Sequence, residues 1–145
     1  ELPPITMEGN NTFGCLLNGK VWLPITNLDG GGLLAELQTA IDTLGITISA
    51  DNARDDNGFT LAVYDSPIIK VGEPYDLTNP DFFVQFFWYD EATTCYFDEI
   101  TSGVVTFTRF DTTTGIVAGT FEFRARSLNC NDRVVVTDGR FDLPF

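Results

Sequence analysis

A chain of 145 residues with 43% hydrophobic content is one domain's worth. That length lets folding bury roughly two-thirds of the unfolded surface without a metal or a staple. Eight Lys and Arg against 21 Asp and Glu leave a net charge of −13, which argues against nucleic-acid binding and against docking on anionic lipid headgroups. Histidine is absent, so Ser-His-Asp and Cys-His catalysis in their usual forms, and every His-ligated metal site, are removed.

The chain opens ELPPITMEGNN, polar and proline-containing. Residues 1–12 read as an extended tether and residues 13–145 as a single β-domain. No basic n-region or signal-like apolar segment stands at the start, and no stretch approaches the about eighteen apolar residues of a membrane helix. Residues 13–17 and 20–23 flank Asn18-Gly19, a strong hairpin signal. Gly14 to Lys20 also satisfies the G-x-x-x-x-G-K front of a phosphate loop. That loop needs Ser or Thr next and a helix, whereas Val21, Trp22, Leu23 and Pro24 follow, a β-type run closed by proline.

Residues 30–32 (GGG) read as a flexible loop. Residues 33–44 are ambiguous. Leu33, Leu37, Ala40, Ile41 and Leu44 fit one face of a short helix, while Leu33, Ala35, Leu37, Thr39 and Ile41 alternate as in a strand. Residues 46–50 and 59–64 flank a turn at 54–58 (RDDNG). Aligned on Gly58, a calcium loop would put Ala53 at its first ligand position and Tyr64 at its twelfth, so the EF-hand pattern fails and a solvated turn is the better account.

The window 81–90 (DFFVQFFWYD) is short and bounded by acids, as a buried strand would be. Residues 104–110 and 120–126 are joined by a turn at 111–115 (DTTTG). In 120–126, Phe121, Phe123 and Ala125 fall on one face and Thr120, Glu122, Arg124 and Arg126 on the other. Residues 133–137 form another strand, and Asp138-Gly139 leads into residues 140–145. The sum is about eight to ten short strands with frequent turns, an all-β, mainly antiparallel fold: a sandwich first, a small lipocalin-like barrel second, with at most one short helix.

Charge is uneven. Residues 1–108 hold 16 acids and 3 bases, and residues 109–145 hold 5 of each. Two acidic doublets, Asp90-Glu91 and Asp98-Glu99, flank the aromatic run, but adjacent acids on a strand point to opposite faces, so neither doublet is itself a glycosidase pair. Trp22, Tyr64, Trp88 and Tyr89 are the residues that would stack on sugar rings if exposed. Trp22 is better read as core, and Trp88 and Tyr89 point opposite ways. No cofactor is implied, and neither a CxxC pair nor a complete carboxylate set predicts a metal site.

Two end segments carry a resemblance: residues 11–24 (NTFGCLLNGKVWLP), and GTFEF at 119–123 with VTDGRFD at 136–142. Together they resemble an uncharacterised family of Bacteroidetes lipoproteins. The resemblance implies export and an outer-membrane lipid anchor upstream of Glu1, and it favours strand over helix for residues 33–41. It brings no activity and no catalytic residues. The expected role is therefore a non-enzymatic binding or structural domain at the cell envelope, with a glycan or an envelope protein as partner. The alternatives are a carbohydrate-binding module using exposed aromatics and a weak carboxylate-dependent glycoside hydrolase.

Export bears on the cysteines. Cys15 sits in an apolar strand, where a buried thiol is the default, while Cys95 and Cys130 lie in polar contexts. In an oxidising compartment a Cys95–Cys130 disulfide is expected, against two free thiols or a pair involving Cys15. Asp-Thr tripeptides at Thr43 and Thr112 match a short pattern for O-glycosylation of exported proteins, Thr112 being the better placed at a loop tip.

Overall fold

Period-two patterning becomes strand throughout the computed structural model, which describes residues 1–25, 32–40, 43–64 and 69–145. Eleven strands lie among the described residues: β1 (Thr12–Leu17), β2 (Lys20–Trp22), β3 (Leu33–Ala40), β4 (Thr43–Asn52), β5 (Asn57–Val63), β6 (Pro74–Asp76), β7 (Phe82–Tyr89), β8 (Thr94–Phe97), β9 (Glu99–Asp111), β10 (Ile116–Ser127) and β11 (Asp132–Pro144). No helix occurs among these residues.

The strands form two open antiparallel sheets, a six-stranded one in the order β2-β1-β11-β10-β9-β6 and a five-stranded one in the order β3-β4-β5-β7-β8. Neither closes on itself, so the architecture is a sandwich and not a barrel. The inner faces meet in a phenylalanine-rich core. Phe59 packs edge-on to Trp22 with centroids 4.7 Å apart, and also contacts Phe13, Phe86 and Phe123. Such pairs each contribute about 0.5–1.5 kcal/mol beyond the area they bury.

The ambiguous segment is strand. Leu33, Ala35 and Leu37 pair with Ala50, Ile48 and Ile46 of β4, which puts their side chains on the inner face. The two-residue alternation wins because a sheet neighbour is there to bury it, an interaction that helical spacing could not use. Gly30, Gly31, Ile41 and Asp42 lie outside the described residues.

The Asn18-Gly19 hairpin forms with both residues at positive φ (50° and 83°), as its two-residue turn requires. Asp138-Gly139 differs from expectation. It does not separate two strands but sits inside the continuous β11, where Asp138 has φ 51° and the register against β10 shifts between Phe121 and Phe123. This is a bulge, and glycine is needed beside it because a Cβ at 139 would stand 2.6 Å from the Phe121 ring.

The segment read as a tether is docked. Asp142 alternates with the core residues Phe141 and Leu143, so its carboxylate emerges on the outer face of the six-stranded sheet, yet it is only 1% exposed. It accepts hydrogen bonds from the Thr6 hydroxyl (2.6 Å) and from the backbone N–H groups of Glu8, Gly9 and Asn10. Arg140 donates to the Pro3 carbonyl and Arg109 to that of Met7. Residues 3–10 thus cross this face as a strap.

Cys95, on β8 of the five-stranded sheet, is bonded to Cys130 in the turn between β10 and β11, with Cα atoms 5.7 Å apart. The bridge ties an edge of one sheet to a hairpin of the other.

Candidate functional site

Along β7, Phe82, Val84 and Phe86 are buried inward. The residues between them, Phe83, Gln85, Phe87 and Tyr89, therefore face outward from the five-stranded sheet. Register extends this across strands: Phe87 lies opposite Gly58 on β5 and Tyr96 on β8, and Gly58 lies opposite Asp51 on β4. One row on the outer face thus reads Asp51, Gly58, Phe87, Tyr96.

Gly58 explains how the row is filled. A Cβ there would approach the Phe87 ring to 2.8 Å and the Ala50 carbonyl to 2.8 Å, so the bare backbone is the bed on which that ring lies. Phe87 in turn contacts Tyr89, with centroids 5.2 Å apart. Tyr89 is 49% exposed and Tyr96 45%. Partial burial, and after it the neighbouring Tyr96 and Asp51, raise the Tyr89 hydroxyl pKa. Burial likewise raises the Asp51 carboxyl above the usual carboxylate range. The next row along the face is polar, with Ser49, Thr60 and Gln85 in register, and Thr94 stands opposite Tyr89. The face is an aromatic patch with hydroxyl and amide groups beside it.

Of the aromatic residues singled out from the sequence, only Tyr89 belongs to this patch. Trp22 is core, 5% exposed, with its indole N–H donated to Asn57 Oδ1 at 2.8 Å. Trp88 faces inward, half-buried against the core. Tyr64 is exposed but follows the end of β5, where its N–H bonds to the Asp81 carbonyl. That places it at the far end of β7 from Tyr89, roughly 25 Å away at strand rise. Phe87, Tyr96 and Asp51 were missed. Counting alternation outward from Phe86 finds Phe87, but Asp51 and Tyr96 join it only through register.

One acid of each doublet has local work. Asp90 Oδ1 accepts the N–H groups of Ala92 and Thr93 in the β7–β8 turn, and Glu99 pairs with Arg126. Asp98 is exposed between β8 and β9. Among the described residues, no group of three or more His, Cys, Asp or Glu is placed to hold a metal ion. The Cys15 thiol is buried and pushed up to about 12 by desolvation, so it is no nucleophile. Thr112 is exposed in the β9–β10 turn, where Asp111 accepts the N–H groups of Thr113 and Thr114. Thr43 begins β4, and its sequence neighbour Asp42 lies outside the described residues.

Comparison with family models, with curated proteins and with solved structures finds no match to this chain.

Proposed function

We propose that this chain is a non-catalytic binding domain of an exported protein, held at the outer membrane by a lipid anchor upstream of Glu1. Its contact surface for a neutral glycan is the outer face of the five-stranded sheet. The observation that carries this reading is the placement of Phe87, Tyr89 and Tyr96 side by side on that face. The C–H face of a pyranose ring packs against such side chains, while its hydroxyls reach the polar groups of Thr60, Gln85 and Thr94. A chain charge of −13 disfavours an acidic polymer beside Asp51.

The Cys95–Cys130 bridge suits the oxidising compartment that export implies. The lipid anchor rests on the family that the two end segments resemble. A non-catalytic role fits the commitment of Asp90 to a turn and of Glu99 to an ion pair.

A neutral glycan array probed with the wild-type chain and with a Tyr89→Ala/Tyr96→Ala variant tests the reading. Hits that disappear in the variant support it. An array without hits, or hits the two substitutions leave unchanged, refutes it.

A further inference from the structure

Three of the five arginines of residues 109–145 cluster. Arg124 and Arg126 alternate with the buried Phe123, Ala125 and Ser127 along β10, so both face outward from the six-stranded sheet. Arg133 on β11 lies directly opposite Arg126, and Val135 opposite Arg124. Strand geometry sets the three Cβ atoms in a triangle with sides of about 5–7 Å. This is the face opposite to the aromatic patch.

Three features distinguish this triangle from an ordinary solvated face. Only Arg126 has a carboxylate partner, Glu99; Arg124 and Arg133 make no ion pair among the described residues. Arg126 Nε is buried with no hydrogen-bond acceptor. Like charges directly opposite on neighbouring strands are destabilising, and Glu99 offsets this only on the Arg126 side, which leaves Arg133 as the guanidinium a bound anion would relieve.

The surface there is concave. A depression of about 330 Å³ lies between Arg124, Arg126, Arg133 and Thr101. It shares Arg124 and Val135 with a second depression of about 300 Å³ that runs on past Glu122 toward Ser102 and Thr137. Through these shared residues the two adjoin as one trough, cationic at one end, with hydroxyls and the Glu122 carboxylate further along.

We infer that this trough is a second binding site, for a carboxylate-bearing sugar: a uronate residue within an oligosaccharide. The planar guanidinium fork matches a carboxylate bidentately. The same fork fits phosphate, so the preference for a uronate rests on the sugar that carries the carboxylate. The sugar hydroxyls would meet Thr101 and Ser102, and Val135 offers an apolar floor. This site stands apart from the aromatic patch and does not depend on it.

The test is calorimetric titration of the full chain with trigalacturonate, and in parallel with galactotriose and with inorganic phosphate, at low and at physiological ionic strength. Trigalacturonate should bind, more weakly as salt rises, and should raise the melting temperature. Galactotriose and phosphate should each bind about tenfold or more weaker. An Arg124→Ser/Arg133→Ser variant, which removes no ion pair, should lose about tenfold in affinity, and Arg124→Lys/Arg133→Lys should recover only part of it. A Tyr89→Ala/Tyr96→Ala variant should bind trigalacturonate as the wild type does. No binding of trigalacturonate, equal binding of galactotriose or phosphate, or wild-type affinity in the Ser variant overturns the site. Loss in the Tyr variant instead would move the uronate to the other face and overturn the trough equally.

Discussion

Asn129 stands in for a missing strand beside Tyr96. The Tyr96 N–H, on the free edge of β8, donates to Asn129 Oδ1 at 3.4 Å, and Asn129 Nδ2 donates to the Thr94 carbonyl at 2.6 Å. One side-chain amide thus satisfies a donor and an acceptor that an edge strand otherwise leaves open. It also fixes the backbone that carries Tyr96 into the aromatic patch. Asn129→Ala should cost about 1–2 kcal/mol in urea denaturation and should weaken glycan binding, because Tyr96 loses its support. Unchanged stability would mean that solvent serves the β8 edge as well as Asn129 does.

The neighbouring Cys130 does heavier work. Cys95 and Cys130 are separated by 35 residues, and on the chain-entropy account closing such a loop is worth about 3–4 kcal/mol. Cys95→Ser/Cys130→Ser should therefore lower the denaturation midpoint markedly without changing the fold's circular dichroism. A midpoint equal to that of the wild type would show that the two sheets need no tie at this end.

Asp142 predicts an acid-labile strap. Burial pushes its carboxyl pKa up, but the hydrogen bonds from Thr6, Glu8, Gly9 and Asn10 together outweigh this and hold it below the ordinary value of 3.8. A depressed folded pKa means stability that is fully present above the unfolded pKa and is lost as pH falls through the folded one. The wild type should lose stability on acidification below about pH 4. Asp76 and Asp111 are also held low and titrate in the same window, so the informative curve is the difference from Asp142→Asn. That variant leaves the same N–H donors without a carboxylate acceptor and should cost roughly 2–3 kcal/mol at neutral pH, with the difference shrinking as pH falls. Hydrogen exchange at residues 8–10 should quicken in parallel. A pH-independent difference would show that the carboxylate charge is not what holds the strap.

Gly58 predicts a coupling between backbone and site. In Gly58→Ala the new methyl meets both the Ala50 carbonyl and the Phe87 ring. The expected cost is about 1–3 kcal/mol, accompanied by weaker glycan binding because the ring must tilt. Loss of stability with wild-type binding would detach Phe87 from the site.

How far the sequence foretold all this depends on range. Alternation of Phe121, Phe123 and Ala125 is a local signal with one reading, and the β10 face follows from it. The Asn18-Gly19 turn is equally local, because its two positive φ values depend on its own residues. Leu33 to Leu37 supports two periods at once, and only the partner strand β4 selects between them. Asp138-Gly139 reads as a turn from composition and becomes a bulge because Phe121 across the ladder occupies the space. The candidate site lay beyond reach for the same reason. Tyr96 and Asp51 are 45 residues apart in the chain, and no spacing rule reports a register across four strands. Trp88 fell to the wrong face for a site because, in DFFVQFFWYD, aromatics occupy both parities and composition alone does not say which one turns inward. Nothing local marks Asp142, since its four donors come from the other terminus.

The aromatic face is tested most directly by side-chain nuclear magnetic resonance during titration with the neutral oligosaccharide that ranks first on the glycan array. Shifts should concentrate on the ring protons of Phe87, Tyr89 and Tyr96 and on the Gly58 amide, leaving Trp22 and Tyr64 unmoved. Shifts centred on Tyr64 or on the six-stranded sheet, or none at saturating ligand, would contradict the assignment of this face as the glycan contact.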